Sequence, residues 1–129
     1  MNQLISVGWL YRKGNKLLCV KSKGKDKFFI PGGKLEVGET YEEGLQREIR
    51  EELNIELIPN SIQYLFSITD IAYGLENTQL TMFCYIADFN GDIAPSSEIE
   101  TAKWFELSQI HNCAPAAQKA MSYALELQV

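Results

Sequence analysis

The sequence predicts an α/β fold, a mixed sheet flanked by helices. Three observations carry that prediction. Short strand-like segments open the chain, a strongly patterned helix stands in the middle, and further strands lead to a closing helix. Strands interrupted by one helix and capped by another bury their apolar faces best as helices packed on a sheet.

The elements read in order as follows. Ile5 to Arg12 and Lys16 to Lys21 form two strands joined near Gly14-Asn15, a hairpin-type turn. Residues 23–27 are a polar loop, and Phe28-Phe29-Ile30 is a short strand ended by Pro31-Gly32-Gly33. Thr40 and Glu43 make a T-x-x-E capping box at the start of the central helix. Tyr41, Leu45, Ile49 and Leu53 are its apolar stripe at i+4 spacing. Asn54 ends it, because asparagine tolerates the left-handed conformation common after a helix. Gly44 lies on the arc of Glu48 and Glu51; a glycine inside a helix costs about 1 kcal/mol relative to alanine, so another group is expected to approach closely there. Strands follow near 62–73, 79–88 and 102–105, with a turn at Asn90-Gly91. Pro115 opens the last helix, whose buried face carries Ala117, Met121, Ala124 and Leu125.

The chain of 129 residues suits one domain, 1–129, with a sizeable core, and its 46% apolar and 22% charged residues are ordinary for a folded protein. No apolar run approaches the roughly 20 residues that span a membrane, and the start lacks the basic region and cleavage site of a secretion signal. Cys19, Cys84 and Cys113 are an odd count without paired spacing, so reduced thiols and a cytoplasmic location are expected. A single histidine, His111, excludes His-rich metal sites. The net charge of −5 is unevenly spread: residues 1–34 carry +7 and the remainder −12. An acidic protein is a poor non-specific nucleic-acid binder, so neither nucleic acid nor membrane is an expected partner. The association state is left open, a dimer included.

Glu48, Glu51 and Glu52 fall at i, i+3 and i+4, on one arc of the central helix. Like charges so placed repel and weaken an isolated helix. A cation that neutralises them resolves the conflict, and oxygen-only ligands select Mg²⁺ or Mn²⁺ over zinc. The competing reading is an exposed acidic face paired with Arg47 and Arg50. The glycine spacing from Gly33 to Thr40 imitates a phosphate-cradling P-loop, but Glu39 stands where that loop needs lysine, so the nucleotide-kinase reading is rejected.

Taken whole, the segment resembles the Nudix box, G-x5-E-x7-R-E-U-x-E-E-x-G-U with U aliphatic. Gly33, Glu39, Arg47, Glu48, Ile49, Glu51, Glu52 and Ile55 match, and Asn54 departs where the family usually has glycine. Phe29-Ile30-Pro31-Gly32-Gly33 before it and Trp104-Phe105-Glu106-Leu107 after it look like the family's flanks. The resemblance implies a Nudix fold, an α/β/α sandwich around a mixed sheet, and a MutT-like, Mg²⁺-dependent hydrolase of nucleoside diphosphate derivatives. It implies that Glu51 and Glu52 bind metal, that Glu48 is a ligand or holds a metal-bound water, and that a backbone carbonyl, Gly32 first, completes the site. It further implies that Arg47 orients the glutamates and that Glu39 supports the loop-to-helix geometry. Glu98, six residues before Trp104, is the candidate later glutamate for metal binding or catalysis, with Glu100 its competitor. Lys21 is the candidate phosphate contact.

Substrate markers are sparse. Asp70 and Ile71 stand about where ADP-ribose enzymes carry a proline, and Tyr73, eighteen residues past Ile55, sits at a spacing associated with dinucleoside polyphosphate hydrolases. The Gly32–Thr40 stretch is similar to that of nucleoside-triphosphate-cleaving enzymes. The expectation is therefore a nucleoside triphosphate or other nucleoside diphosphate derivative as substrate. A dinucleoside polyphosphate or nucleotide-sugar hydrolase is one alternative, and a non-catalytic nucleotide-sensing module is the other. Phe28, Tyr73, Phe83 and Tyr85 are candidates for stacking on a base, with core packing the plainer role of each.

Overall fold

The computed structural model describes residues 1–126; residues 127–129, the end of the expected domain, lie outside them. The central helix α1 runs Tyr41–Leu53 and starts as its capping box requires. Thr40 Oγ1 accepts from Glu43 N at 3.1 Å, and Glu43 Oε1 accepts from Thr40 N at 2.8 Å. Asn54 closes the helix in the left-handed region (φ 58°, ψ 34°) and donates its N–H to the Arg50 carbonyl.

Among the described residues there are nine strands: β1 Asn2–Trp9, β2 Arg12–Lys13, β3 Lys16–Ser22, β4 Gly32–Lys34, β5 Glu56–Leu57, β6 Gln63–Ile71, β7 Thr78–Ile86, β8 Phe89–Asn90 and β9 Ile99–Phe105. The main sheet has the order β4-β1-β7-β6 and is mixed: β1 and β7 are parallel, the other pairs antiparallel. A second sheet runs β2-β3-β9, and β5 pairs with β8. The last helix, α2, is Pro115–Glu126.

Strand alternation divides the interior in two. Val7 and Trp9 of β1 and Tyr85 of β7 pack with Leu45, Ile49 and Leu53 of α1. Met82 and Cys84 of β7 pack with Ala117, Ala120, Met121 and Ala124 of α2 on the other face. The expected α/β/α layering results. Cys19, Cys84 and Cys113 are buried free thiols in the α2 layer. Among the described residues no helix is long and apolar enough to cross a membrane.

Two expectations about strands need correction. The first two strands do not pair as one hairpin. β1 lies between β4 and β7, while β3 pairs with β9 in the other sheet. The chain changes sheets at Leu10-Tyr11: Leu10 N donates to Tyr85 O, and the Tyr11 carbonyl accepts from Leu18 N. Only β2 folds back on β3, around Gly14 at φ 61°. Residues 28–30 also fail to form a continuous strand. Phe29 exchanges both backbone bonds with Val20, whereas Phe28 bonds to Asn112 O and Ala114 N, so consecutive residues serve different partners. The strand lies just beyond, at Gly32–Lys34, paired with β1. Gly32 is required there: at φ 143° a Cβ would collide with the Val7 carbonyl.

Ile49 is fully buried between α1 and the main sheet. Ile49→Ala is expected to lower the unfolding free energy by about 2–5 kcal/mol, read from urea denaturation; a change below 1 kcal/mol, about the size of an ordinary surface substitution, would mean the α1 layer packs loosely.

Candidate active site

The site is assembled where α1 passes over β4. Gly44 admits Leu35 and the Glu39 carboxylate against the helix backbone; a Cβ there would collide with the Leu35 side chain and come within 3.2 Å of Glu39 Oε1. Gly33 does the same one turn on, where an added Cβ would lie 2.6 Å from the Glu48 carboxylate. The glycines of the 32–44 segment thus let the loop and the acidic helix face press together.

Arg47 is the hub of the contact. Its guanidinium grips Glu39 with two bonds, Nε to Oε2 at 2.6 Å and Nη2 to Oε1 at 3.0 Å. Nη1 reaches Glu48 at 2.9 Å and Glu51 at 2.8 Å, and Nη2 donates to the Lys34 carbonyl at 3.0 Å. Glu39 therefore braces the loop against the helix, and the Arg47 guanidinium holds its carboxyl below the usual range. The same partners raise the pKa of Arg47, Glu39 foremost.

Glu52 behaves differently. Its Oε1 accepts from Gly32 N at 3.1 Å. Burial pushes its carboxyl up to about 8; the Gly32 bond opposes that shift, and the charges of Glu48, Glu51 and Glu98 add to it. Burial also raises Glu48, against the pull of Arg47. Glu51 is half exposed.

The loop after β8 docks on the end of α1. Ala94 N donates to Leu53 O at 2.9 Å, and Ser96 N to Glu52 O at 2.8 Å. The Asn54 side chain adds a bond from Nδ2 to Ala94 O at 2.5 Å. This docking brings Glu98, an exposed residue, near enough for its charge to act on Glu52. Glu100 is instead paired with Lys21 at 2.9 Å, and Lys21 does not line the neighbouring cleft.

That cleft, about 410 Å³, opens beside Gly32, Gly33 and Glu52. Its walls are largely apolar, with Tyr73 at one side. Phe28, Phe83 and Tyr85, the other aromatic candidates, pack against Phe105, Tyr41 and Tyr64. Sequence reasoning passed over four polar cleft residues, Ser6, Ser22, Lys25 and Lys34; the basic excess of residues 1–34 was the one signal that pointed toward the lysines.

Residues 1–126 match the NUDIX domain family. The chain belongs to that family. Among curated relatives it is 29% identical over 114 residues to an ADP-ribose pyrophosphatase of Methanocaldococcus jannaschii, covering 85% of this chain and 66% of the relative. It is 32% identical over 126 residues to the NAD-capped RNA hydrolase NudC of Stutzerimonas stutzeri, covering 92% of this chain and 41% of the relative. The NUDIX chain thus spans two thirds or less of the length of these relatives. A MutT NUDIX hydrolase from Burkholderia pseudomallei has the same fold, with TM-score 0.79 at 23% identity over 95% of this chain and 98% of that one.

Divalent metal is the cofactor the NUDIX family implies. The donor chemistry fits it: hard carboxylate oxygens, one of them partly desolvated and raised further by like charges that a cation would offset. Among the described residues no three acidic, cysteine or histidine side chains meet around one point. Arg47 draws Glu48 and Glu51 to itself, while Glu52 turns to Gly32.

Glu52 predicts a pH dependence. In the metal-free folded chain it keeps its proton to about pH 8, against an ordinary carboxylate value of 4.5. The folded state then binds one more proton than the unfolded state between those values, so this group makes stability fall as pH rises from about 4.5 to about 8. Glu52→Gln is expected to remove that slope in urea titrations with EDTA. An unchanged slope would mean that Glu52 ionises normally.

Proposed function

We propose that this NUDIX protein is a Mg²⁺-dependent pyrophosphohydrolase that cleaves the phosphoric anhydride of a nucleoside triphosphate or other nucleoside diphosphate derivative. One observation carries the reading: the half-buried Glu52 accepts from Gly32 N and feels the charges of Glu48, Glu51 and Glu98, next to a cleft that would admit a nucleoside-sized group. Such a charge arrangement favours a divalent cation and, through it, a polyphosphate.

Glu51, Glu52, Glu48, Glu98 and the Gly32 carbonyl would hold Mg²⁺, with Mn²⁺ as a substitute. When bound, the ion offsets charge on the phosphate oxygens and makes water more acidic. Arg47 holds Glu48 and Glu51 in place through Nη1. A carboxylate takes the proton from the attacking water. Glu98 is favoured over Glu100 for that step, because Glu100 is committed to Lys21. Glu48, half-buried with its pKa raised, is the alternative base.

Two curated relatives are named for ADP-ribose and for NAD-capped RNA. ADP-ribose and NAD are nucleoside diphosphates that bear a further sugar, which keeps diphosphate derivatives beside triphosphates in this proposal. A pure nucleotide sensor has no need of all three helix glutamates.

A panel of nucleoside triphosphates, ADP-ribose, NAD, a nucleotide sugar and a dinucleoside tetraphosphate tests the reading, with Mg²⁺ or EDTA and detection of released phosphates. Turnover is expected only with Mg²⁺ or Mn²⁺; ligand-induced stabilisation without turnover on any of them would favour the sensor. Glu52→Gln is expected to lower kcat at least about 100-fold, the scale of losing a charge-stabilising group. Glu98→Gln is expected to cost about 10- to 100-fold, the lower part of a general base's contribution; full rate would transfer the role to Glu48.

A further inference from the structure

The cleft is rimmed by two loops that are bonded to each other. The Tyr73 hydroxyl donates to the Asp26 carboxylate, 2.8 Å from Oδ1 and 2.9 Å from Oδ2. Tyr73 follows β6, and its ring lies 6.3 Å from that of Phe29. Asp26 belongs to the turn after β3, where Gly24 takes φ 83° and Lys25 N donates to Ser22 O at 3.1 Å. Lys25 and Tyr73 both line the cleft that Glu52 also lines. Lys25 has no carboxylate partner among the described residues, unlike Lys21, whose ammonium is 2.9 Å from Glu100.

A lysine on a turn loses considerable rotamer and backbone freedom when it grips a ligand. Holding the turn in advance lowers that cost. The bond between Asp26 and Tyr73 does so by tying the turn to the segment after β6. It also engages Asp26 with a hydroxyl, so the carboxylate beside Lys25 is turned to Tyr73.

We infer that Asp26 and Tyr73 form a latch that holds Lys25 over the cleft as a phosphate ligand of the nucleotide. Lys25 is thus a substrate-binding residue, and Tyr73 and Asp26 are positioning residues that act through it. This deepens the proposed hydrolase reading and rests on it for the nature of the ligand.

A double-mutant cycle separates the latch from a direct contact. The probe is α,β-methylene-ADP, a non-cleavable nucleotide, titrated calorimetrically with Mg²⁺ present. Lys25→Ala is expected to weaken binding about ten-fold, the scale of one charge-assisted hydrogen bond. Tyr73→Phe, which keeps the ring, is expected to weaken it about three- to ten-fold by the same interaction. The double variant is expected to bind no worse than Lys25→Ala alone, and Lys16→Ala, which removes an exposed charge elsewhere, is expected to bind normally. Lys25→Ala binding within two-fold of the parent, or additive losses in the cycle, would overturn the latch. Turnover of the substrate panel without this coupling would overturn the latch and keep the hydrolase. Coupling without turnover would do the reverse.

Discussion

The Arg47 guanidinium is the interaction on which the acidic half of this molecule depends. Glu48 and Glu51 share its helix arc, and Glu39 comes from the loop before it. Without a fixed cation these carboxylates would repel one another, most strongly where burial weakens solvent screening. Arginine suits the position because its planar fork binds Glu39 through Nε and Nη2, offers Nη1 to α1 and reaches the Lys34 carbonyl with the same Nη2. The same group therefore orders the loop, the helix face and the end of β4.

That arrangement requires backbone to approach backbone. Gly32 passes beside the Val7 carbonyl, Gly33 beneath Glu48, and Gly44 beneath Leu35. Each lacks the Cβ that would hold two elements apart. On the other end of α1, Asn54 does more than its backbone shape demands. Its side chain also binds Ala94 O, which helps fix the loop that carries Glu98. Glycine at this position would supply the left-handed turn without that tether. The departure from the usual NUDIX pattern thus has a local consequence for where the later glutamate sits.

Much of the fold was legible because its signals are local. The capping box, the i+4 apolar stripe and the αL asparagine act within a few residues of one another, and all three appear in α1 as read. The close approach expected at Gly44 is present for the same reason. Strand pairing was less legible. Residues 5–12 and 16–21 have the composition of a hairpin, yet the chain changes sheets at Leu10-Tyr11, because β1 finds partners in β4 and β7 that are distant in sequence. Phe28 and Phe29 are similar in type, but their backbones bond to different segments.

Spacing alone placed Glu48, Glu51 and Glu52 on one helical arc, since helix geometry converts separation along the chain into direction. It also marked Gly44, on the same face, as a place of close approach. Tertiary structure decided which of those carboxylates is solvated, which is gripped by arginine and which is half-buried against Gly32. It likewise paired Lys21 with Glu100 and set Lys25 and Tyr73 on the rim of one cleft. Burial and long-range proximity depend on how separate elements pack, and no local pattern of residues encodes that.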